Sequence, residues 1–138
     1  MFKIDQIRSL LLDHVRDFSF SPNVPKSLPD EPYDPRVGET YIEAVFQPNE
    51  TLTPFVGDDD PKHHQGFLQV TVVGPRSSGS DESWQIVGAL IEHFKKGTVL
   101  RGEDGINVKM IREPWATPPF PDEGWLRIPI TVPYFCMA

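Results

Sequence analysis

The sequence predicts an α/β (α+β) protein with an antiparallel or mixed sheet of roughly four to five strands and two main helices packed on it. Apolar residues recur at helical spacing in 3–18 and 80–97, whereas they alternate with polar residues in 40–47, 66–73 and 125–135. A chain of 138 residues fits one domain. A domain of this size buries enough surface to fold without disulfides or metals.

The first helix is predicted over residues 3–18. Asp5 lies near its start and Arg16 near its end, where each charge suits the helix dipole. We interpret His14 as a solvated side chain, since no catalytic partner accompanies it. The apolar stripe expected to face the core consists of Ile4, Ile7, Leu11, Val15 and Phe18.

Prolines punctuate residues 19–39, where we predict an extended arm. Proline lacks an N–H and keeps the preceding residue out of the helical region, so neither a helix nor a central strand persists here. The arm either packs across the sheet or lies on a neighbouring subunit, and its PxxP spacing also fits a polyproline-II ligand. The prolines are Pro22, Pro25, Pro29, Pro32 and Pro35.

A half-buried strand over 40–47 is followed by a long polar loop, 48–65, which contains Phe55. The loop exceeds the usual length of a connection, which predicts either a functional segment or disorder. His63 and His64 at its end suggest a metal site, but their spacing matches no standard ligand motif. We favour a loop that becomes ordered against a partner.

Acidic residues are concentrated in this part of the chain. The net charge is −7, and the stretch from Glu39 to Asp60 holds six acids and no lysine or arginine. An acidic surface repels nucleic acid and anionic lipid. The simplest interpretation is a solvated segment that keeps the protein soluble. The six acids are Glu39, Glu43, Glu50, Asp58, Asp59 and Asp60.

The stretch 66–97 is predicted to be a central strand, a polar loop and the second helix. The loop lacks the residue order of a phosphate-binding P-loop. Ser80 is expected to cap the helix, and Gly97 to end it. Its buried stripe is predicted to consist of Trp84, Val87, Leu90, Ile91 and Phe94.

Residues 98–111 predict a hairpin that turns at Asp104 and Gly105. A second proline-rich stretch follows, and its Trp115 and Phe120 either form a contact surface or cover one end of the core.

The closing segment, 125–135, is predicted to be a strand with Pro129 and Pro133 four residues apart. Backbone groups four apart point to the same side of a strand, so both missing donors lie on one side. This arrangement favours an edge strand.

Neither catalysis nor membrane insertion is expected. The sequence has no recognised catalytic motif, and its four histidines are scattered among different elements. Cys136 is the only cysteine, which excludes an internal disulfide. The N-terminus lacks a signal-peptide pattern, and no apolar run approaches the roughly 18 residues needed to cross a bilayer. We therefore expect a structural protein that is used in a reducing compartment or inside an assembly.

The order of these elements resembles a known family. After the first helix and the arm come YIEAVFQP and GFLQVTVVGP, then a Gly/Ser loop, WQIVGALIEHFKKG and finally GWLRIPITVPYF. This pattern is similar to the tail-terminator-like proteins of long-tailed bacteriophages, the group that contains the phage lambda tail terminator. The resemblance is strongest in 66–97 and 124–135, and it predicts that 1–138 form a single tail-terminator-like domain.

The resemblance implies a hexameric ring that stops polymerisation of the tail tube and caps its head-proximal end, with no catalysis and no cofactor. The implied partners are further copies of the chain, the tail tube protein and a neck or head-completion (connector) protein. DNA would pass the lumen without specific binding. The protein would be made in the host cytoplasm and end in the tail or neck of the virion.

Physical arguments, and not the family, suggest which residues make contacts. An acidic loop that lined the lumen would keep DNA from adhering. Candidate contacts with subunits or partners are Pro22, Pro25, Pro29, Pro32, Pro35, Phe55, His63, His64, Trp115 and Phe120, and candidate lumen-facing acids are Glu50, Asp58, Asp59 and Asp60.

Two other functions stay open at this point. Another neck, head-completion or minor tail protein would share the small size, the ring symmetry and a similar sheet. A small ligand-binding domain or enzyme would use the loop that holds His63 and His64, and full function after both are changed to alanine would exclude it.

Overall fold

The computed structural model describes residues 3–20, 23–36, 38–57, 60–76 and 80–138, and in them two helices pack on a mixed sheet. The predicted α+β class is confirmed, although the sheet has eight strands and not four to five. The helices are α1 (Lys3–Arg16) and α2 (Asp81–His93). The strands are β1 (Lys26–Ser27), β2 (Tyr41–Pro48), β3 (His63–Pro75), β4 (Val99–Arg101), β5 (Asn107–Lys109), β6 (Trp115–Ala116), β7 (Phe120–Asp122) and β8 (Trp125–Met137).

The long antiparallel pair of β3 and β8 forms the centre of the sheet. The two strands match along their whole length, from His63 opposite Met137 to Pro75 opposite Trp125. The strand order is β1-β2-β3-β8-β5-β4, and β6 and β7 also pair with β8. Only β1 and β2 run parallel among these pairs. The extra strands are short pieces of the proline-rich segments.

The prediction that the closing strand is an edge strand is wrong. The carbonyl oxygen of Pro129 accepts the N–H of Thr117 at 2.9 Å, so the proline side of β8 faces β6. Pro133 lies between the stretches of β8 that pair with β6 at Thr131 and with β5 at Phe135. Short strands therefore occupy the places that the prolines leave available, and β8 is an interior strand.

The hydrophobic core lies between the helices and one face of the sheet. Directly paired residues such as Val70 and Ile130 point to this face and are buried. Leu11 of α1 and Leu90 of α2 are fully buried against them. The opposite face of β2, β3 and β8 carries the alternate residues, and we call it the open face.

Trp84 was predicted to lie in the buried stripe of α2, and this prediction is wrong, because its side chain is 43% exposed. The buried position at this end of the helix belongs to Ser83. Ser83 Oγ lies only 2.5 Å from where a Cβ on Gly74 would be, so the helix approaches β3 too closely there for a large side chain. Ser80 precedes the helix, but its side chain makes no capping hydrogen bond.

His14 is not the solvated side chain that the sequence suggests. Its ring stacks on that of His93, with centroids 3.8 Å apart and planes 9° apart. His14 Nε2 lies 2.8 Å from the carbonyl oxygen of His93, and His93 Nε2 lies 2.6 Å from the carbonyl oxygen of His14. With Nε2–H as the donor on each ring, this reciprocal pair joins the C-terminal turns of α1 and α2.

We expect the protein to lose stability in mild acid through His93. Burial lowers the pKa of His93, so folding favours the neutral imidazole. The unfolded chain binds the proton first, near the ordinary value of 6.5. Stability is therefore full above that pH, falls as the pH drops towards the folded-state pKa, and levels off below it. Denaturant unfolding of wild type and His93→Gln between pH 7.5 and 5 measures this, and identical profiles would contradict it.

Candidate assembly surfaces

The open face of the sheet carries a row of side chains from four strands. Pairing aligns Val45 of β2, Gln69 of β3, Thr131 of β8 and Trp115 of β6. Val45 is 47% exposed, and Trp115 is also exposed. Because α1 and α2 contribute to the single core on the other face, this mixed apolar and polar row is accessible to another molecule.

A network around Arg127 holds three strands together on the open face. Arg127 Nη1 donates to Glu43 Oε2 of β2, and Arg127 Nε donates to Asp122 Oδ2 of β7, each at 2.8 Å. The Tyr41 hydroxyl donates to the other Glu43 oxygen at 3.2 Å. Burial, together with the charge of Glu43, raises the pKa of Tyr41. The network is structural, since its three hydrogen bonds tie β2, β7 and β8 together.

Arg127→Ala is expected to lower the free energy of unfolding by about 1–2 kcal/mol, because it leaves the half-buried Glu43 carboxylate without its cation. Lys95→Ala is the matched control. Its ion pair with Glu92 is largely solvent-exposed, so the change should stay within about 0.5 kcal/mol. Urea denaturation at pH 7 compares the two, and equal losses would show that Arg127 contributes no more than a surface charge.

The proline arm packs along its own sheet, which is one of the two arrangements that the sequence allows. The N–H of Ile42 donates to the carbonyl oxygen of Pro25 at 3.0 Å, where β1 runs beside β2. Val24 and Leu28 on either side of β1 are buried. Pro29 and Pro32 are exposed, Pro35 is half-buried, and Pro22 lies outside the described residues.

The long loop is shorter than the predicted 48–65, because β3 already begins at His63. His63 and Leu52 exchange backbone hydrogen bonds of 2.8 and 2.9 Å, which ties the middle of the loop to the start of β3. Phe55 and Val56 at the far end of the loop are exposed. Two neighbouring apolar side chains in water are suited to a contact with another molecule.

Two of the four predicted lumen-facing acids of this loop, Glu50 and Asp60, are exposed side chains. Asp60 Oδ2 accepts the N–H of Gly57 at 2.8 Å, which closes a local turn. Asp58 and Asp59 lie outside the described residues. A ring lumen is not formed by one subunit, so the lumen-facing role of the four acids stays a prediction.

His63 and His64 point to opposite faces of β3, as neighbouring strand residues do. His63 packs edge-on against Phe135 on the open face, with ring centroids 4.5 Å apart. His64 lies opposite Cys136 on the other face, and burial lowers its pKa. Within the described ranges, no group of three or more His, Cys, Asp or Glu side chains is placed to hold a metal ion.

Trp115 and Phe120 are exposed on the open face, in β6 and β7. The Arg112 guanidinium lies over the Trp115 ring, 5.1 Å from its centroid. Together with His63, three of the predicted contact residues therefore share this face. His64 lies on the other face, the described prolines lie in the arm, and Phe55 lies in the loop.

Val45 and Val99 are exposed apolar residues that are not among the predicted contacts. Alternation in 40–47 identifies the face of Val45, whereas the predicted hairpin at 98–111 indicates no face for Val99. Which strands lie at the ends of the sheet is not visible in the sequence.

No helix among the described residues is long and apolar enough to cross a membrane.

Comparisons with known proteins identify the fold and then the family. A comparison with curated proteins finds no match. One solved structure, whose name states no function, matches with a TM-score of 0.79 and 22% identity, covering 99% of this chain and 96% of that chain. At this identity it supports the fold alone.

The model of a family of phage tail terminator proteins matches residues 6–134, which is nearly the whole chain. A match of this extent includes both helices and the long central strands. It therefore assigns a structural role in a bacteriophage tail, and the chain belongs to the phage tail terminator protein family.

Proposed function

We propose that this protein forms a ring at the head-proximal end of the tail tube, stops tube polymerisation there and offers its other face to the neck proteins that join tail to head. The family match over residues 6–134 is the observation that carries this proposal. The partners are further copies of the chain in a hexamer, the tail tube protein and a neck or head-completion protein. Assembly takes place in the host cytoplasm, and the mature ring is part of the virion.

A closed ring needs two different surfaces on each subunit that complement one another after a rotation. It also needs one surface for the tube and one for the neck. The subunit offers separate surfaces of this kind, namely the open face with Trp115 and Phe120, the proline arm beside β2 and the loop with Phe55. Their physical separation supports a protein with several simultaneous contacts.

We further propose that the acidic loop lines the lumen, where negative charge keeps DNA from adhering as it passes. The exposed Glu50 and Asp60 support this, as does the lack of lysine and arginine from residue 39 to residue 60. A ring structure that places Glu50 and Asp60 on the outer rim would overturn it.

Tail length in a phage that lacks this protein tests termination. We expect overlong tails that are not attached to heads, because nothing stops the tube from growing, and normal tails once the wild-type protein is supplied from a plasmid. Unattached tails of normal length would contradict termination and would instead indicate a neck or head-completion protein. Electron microscopy of both lysates measures the two length distributions.

A further inference from the structure

Each of the two edges of the sheet has backbone N–H and C=O groups that point away from the neighbouring strand. β1 pairs only with Ile42 and Glu43, so no strand of the described chain continues along Ala44–Pro48 on that side. β4 ends the sheet on the other side. Thr98 and Gly102 hydrogen-bond to Met110 and Ile106 on the β5 side. By strand alternation, Val99 and Arg101 direct their N–H and C=O groups outwards.

These two edges carry opposite charge. The hairpin and its flanks, residues 95–112, hold five basic residues and two acids, whereas residues 39–60 beside β2 hold six acids and no basic residue. Lys96, Arg101 and Lys109 are exposed and take part in none of the ion pairs found among the described residues. These opposite net charges favour contact between opposite edges of two copies. Glu50 and Asp60 follow the end of β2 at Pro48, so edge pairing leaves them available to the lumen.

We propose that β4 of one subunit pairs in parallel with β2 of the next, so that the sheet continues around the ring. From β2 to β4 the sheet takes four antiparallel steps, so the two edge strands run in the same direction. Copies repeated head to tail keep that direction. The occupant of each edge is thus a second copy of this chain, and the inference rests on the proposed ring.

One register satisfies the available backbone groups. With Val99 opposite Val45 of the neighbouring copy, the Val99 N–H donates to the Ala44 carbonyl oxygen and its C=O accepts from the Phe46 N–H, as parallel pairing requires. The Arg101 N–H then donates to the Phe46 carbonyl oxygen. Pro48 has no N–H, which ends the ladder there. Val45 and Val99 are 47% and 37% exposed, and pairing would bury them together on the open face.

Disulfide trapping in assembled tails tests the pairing. Val45→Cys and Val99→Cys in one chain place two thiols on directly opposed residues of adjacent strands, within the Cα separation that a disulfide spans. Burial raises the pKa of the native Cys136 thiol and keeps it unreactive. We expect oxidised tails carrying the double variant to yield a ladder of covalent multimers on a non-reducing gel. Each single variant, and Val45→Cys combined with Trp84→Cys, should yield no ladder.

The outcomes separate this inference from the ring itself. Normal tail length and infectivity with monomers only on the gel would overturn the edge pairing and leave termination standing. Overlong tails with every variant and also with the wild-type protein would overturn both the edge pairing and the role in termination.

A proline variant covers the case in which the cysteines disturb assembly. Arg101→Pro removes the outward N–H without touching the β4–β5 hydrogen bonds, whereas Arg101→Ala keeps it. We expect both variants to fold by circular dichroism and only Arg101→Pro to lose ring assembly completely. Assembly of Arg101→Pro at the wild-type level would overturn the pairing.

Discussion

Phe94→Ala is expected to lower the free energy of unfolding by about 3–5 kcal/mol. The Phe94 side chain is 0% exposed at the end of α2, and it packs edge-on against both His14 and His93. Its removal leaves a cavity at the junction of the two helices, where the backbone carbonyls are fixed by the histidine pair. Guanidinium denaturation followed by circular dichroism measures the loss.

Trp84→Ala is the matched control on the same helix. Although tryptophan is the larger residue, Trp84 is 43% exposed, so the change should cost about 1 kcal/mol or less. A loss of unfolding free energy as large as that of Phe94→Ala would indicate that Trp84 is buried in the core, and it would contradict the orientation of α2.

Gly66→Ala is expected to destabilise the protein by about 1–3 kcal/mol through backbone crowding. A Cβ at Gly66 would lie 2.6 Å from the carbonyl oxygen of Gln47, 2.8 Å from the Asn49 nitrogen and 2.9 Å from Pro48 Cα. All three are backbone atoms at the point where β2 ends and the long loop begins, so they cannot yield as a flexible side chain would. Thermal unfolding measures the change.

Gly88→Ala provides the opposite expectation within the same chain. A Cβ there meets no atom within 4 Å, and Gly88 lies on the exposed side of α2. Alanine should therefore stabilise the protein by about 0.5–1 kcal/mol, because it reduces the conformational freedom of the unfolded chain. Stabilisation by Gly66→Ala as well as by Gly88→Ala would contradict the close approach at Gly66.

Periodicity alone predicted the helices and the long strands, because each has one buried face and the spacing of apolar residues follows it. The turn at Asp104 and Gly105 was also predictable, and both residues have positive φ, at 56° and 76°. Gly97 was expected to end α2, but the helix already ends at His93, and Gly97, with φ 95°, lies in the turn that follows. The order of the strands across the sheet was not predictable from the sequence. Pro129 and Pro133 indicate which side of β8 lacks donors, but not that short strands from distant segments occupy the remaining positions.

The surfaces were less predictable than the fold, since they depend on contacts between distant parts of the chain. His14 and His93 are 79 positions apart in the sequence, and neither residue spacing nor charge pattern predicts that their rings stack. Trp84 was misplaced because its hydrophobicity fits the stripe, whereas the close approach of Ser83 to Gly74 decides the rotation of the helix. Trp115 and Phe120 are exposed, which agrees with one of the two alternatives that the sequence leaves open, but their position on one sheet face was not predictable.

Tail tube growth in the presence of the purified protein tests termination most directly. Tubes are assembled from the tube protein on preformed tail tips, the protein is added at a fixed time, and lengths are measured by electron microscopy. We expect growth to stop on addition and the protein to be found only at the tube end away from the tip. Continued growth at the unchanged rate with the protein in excess would contradict a terminator.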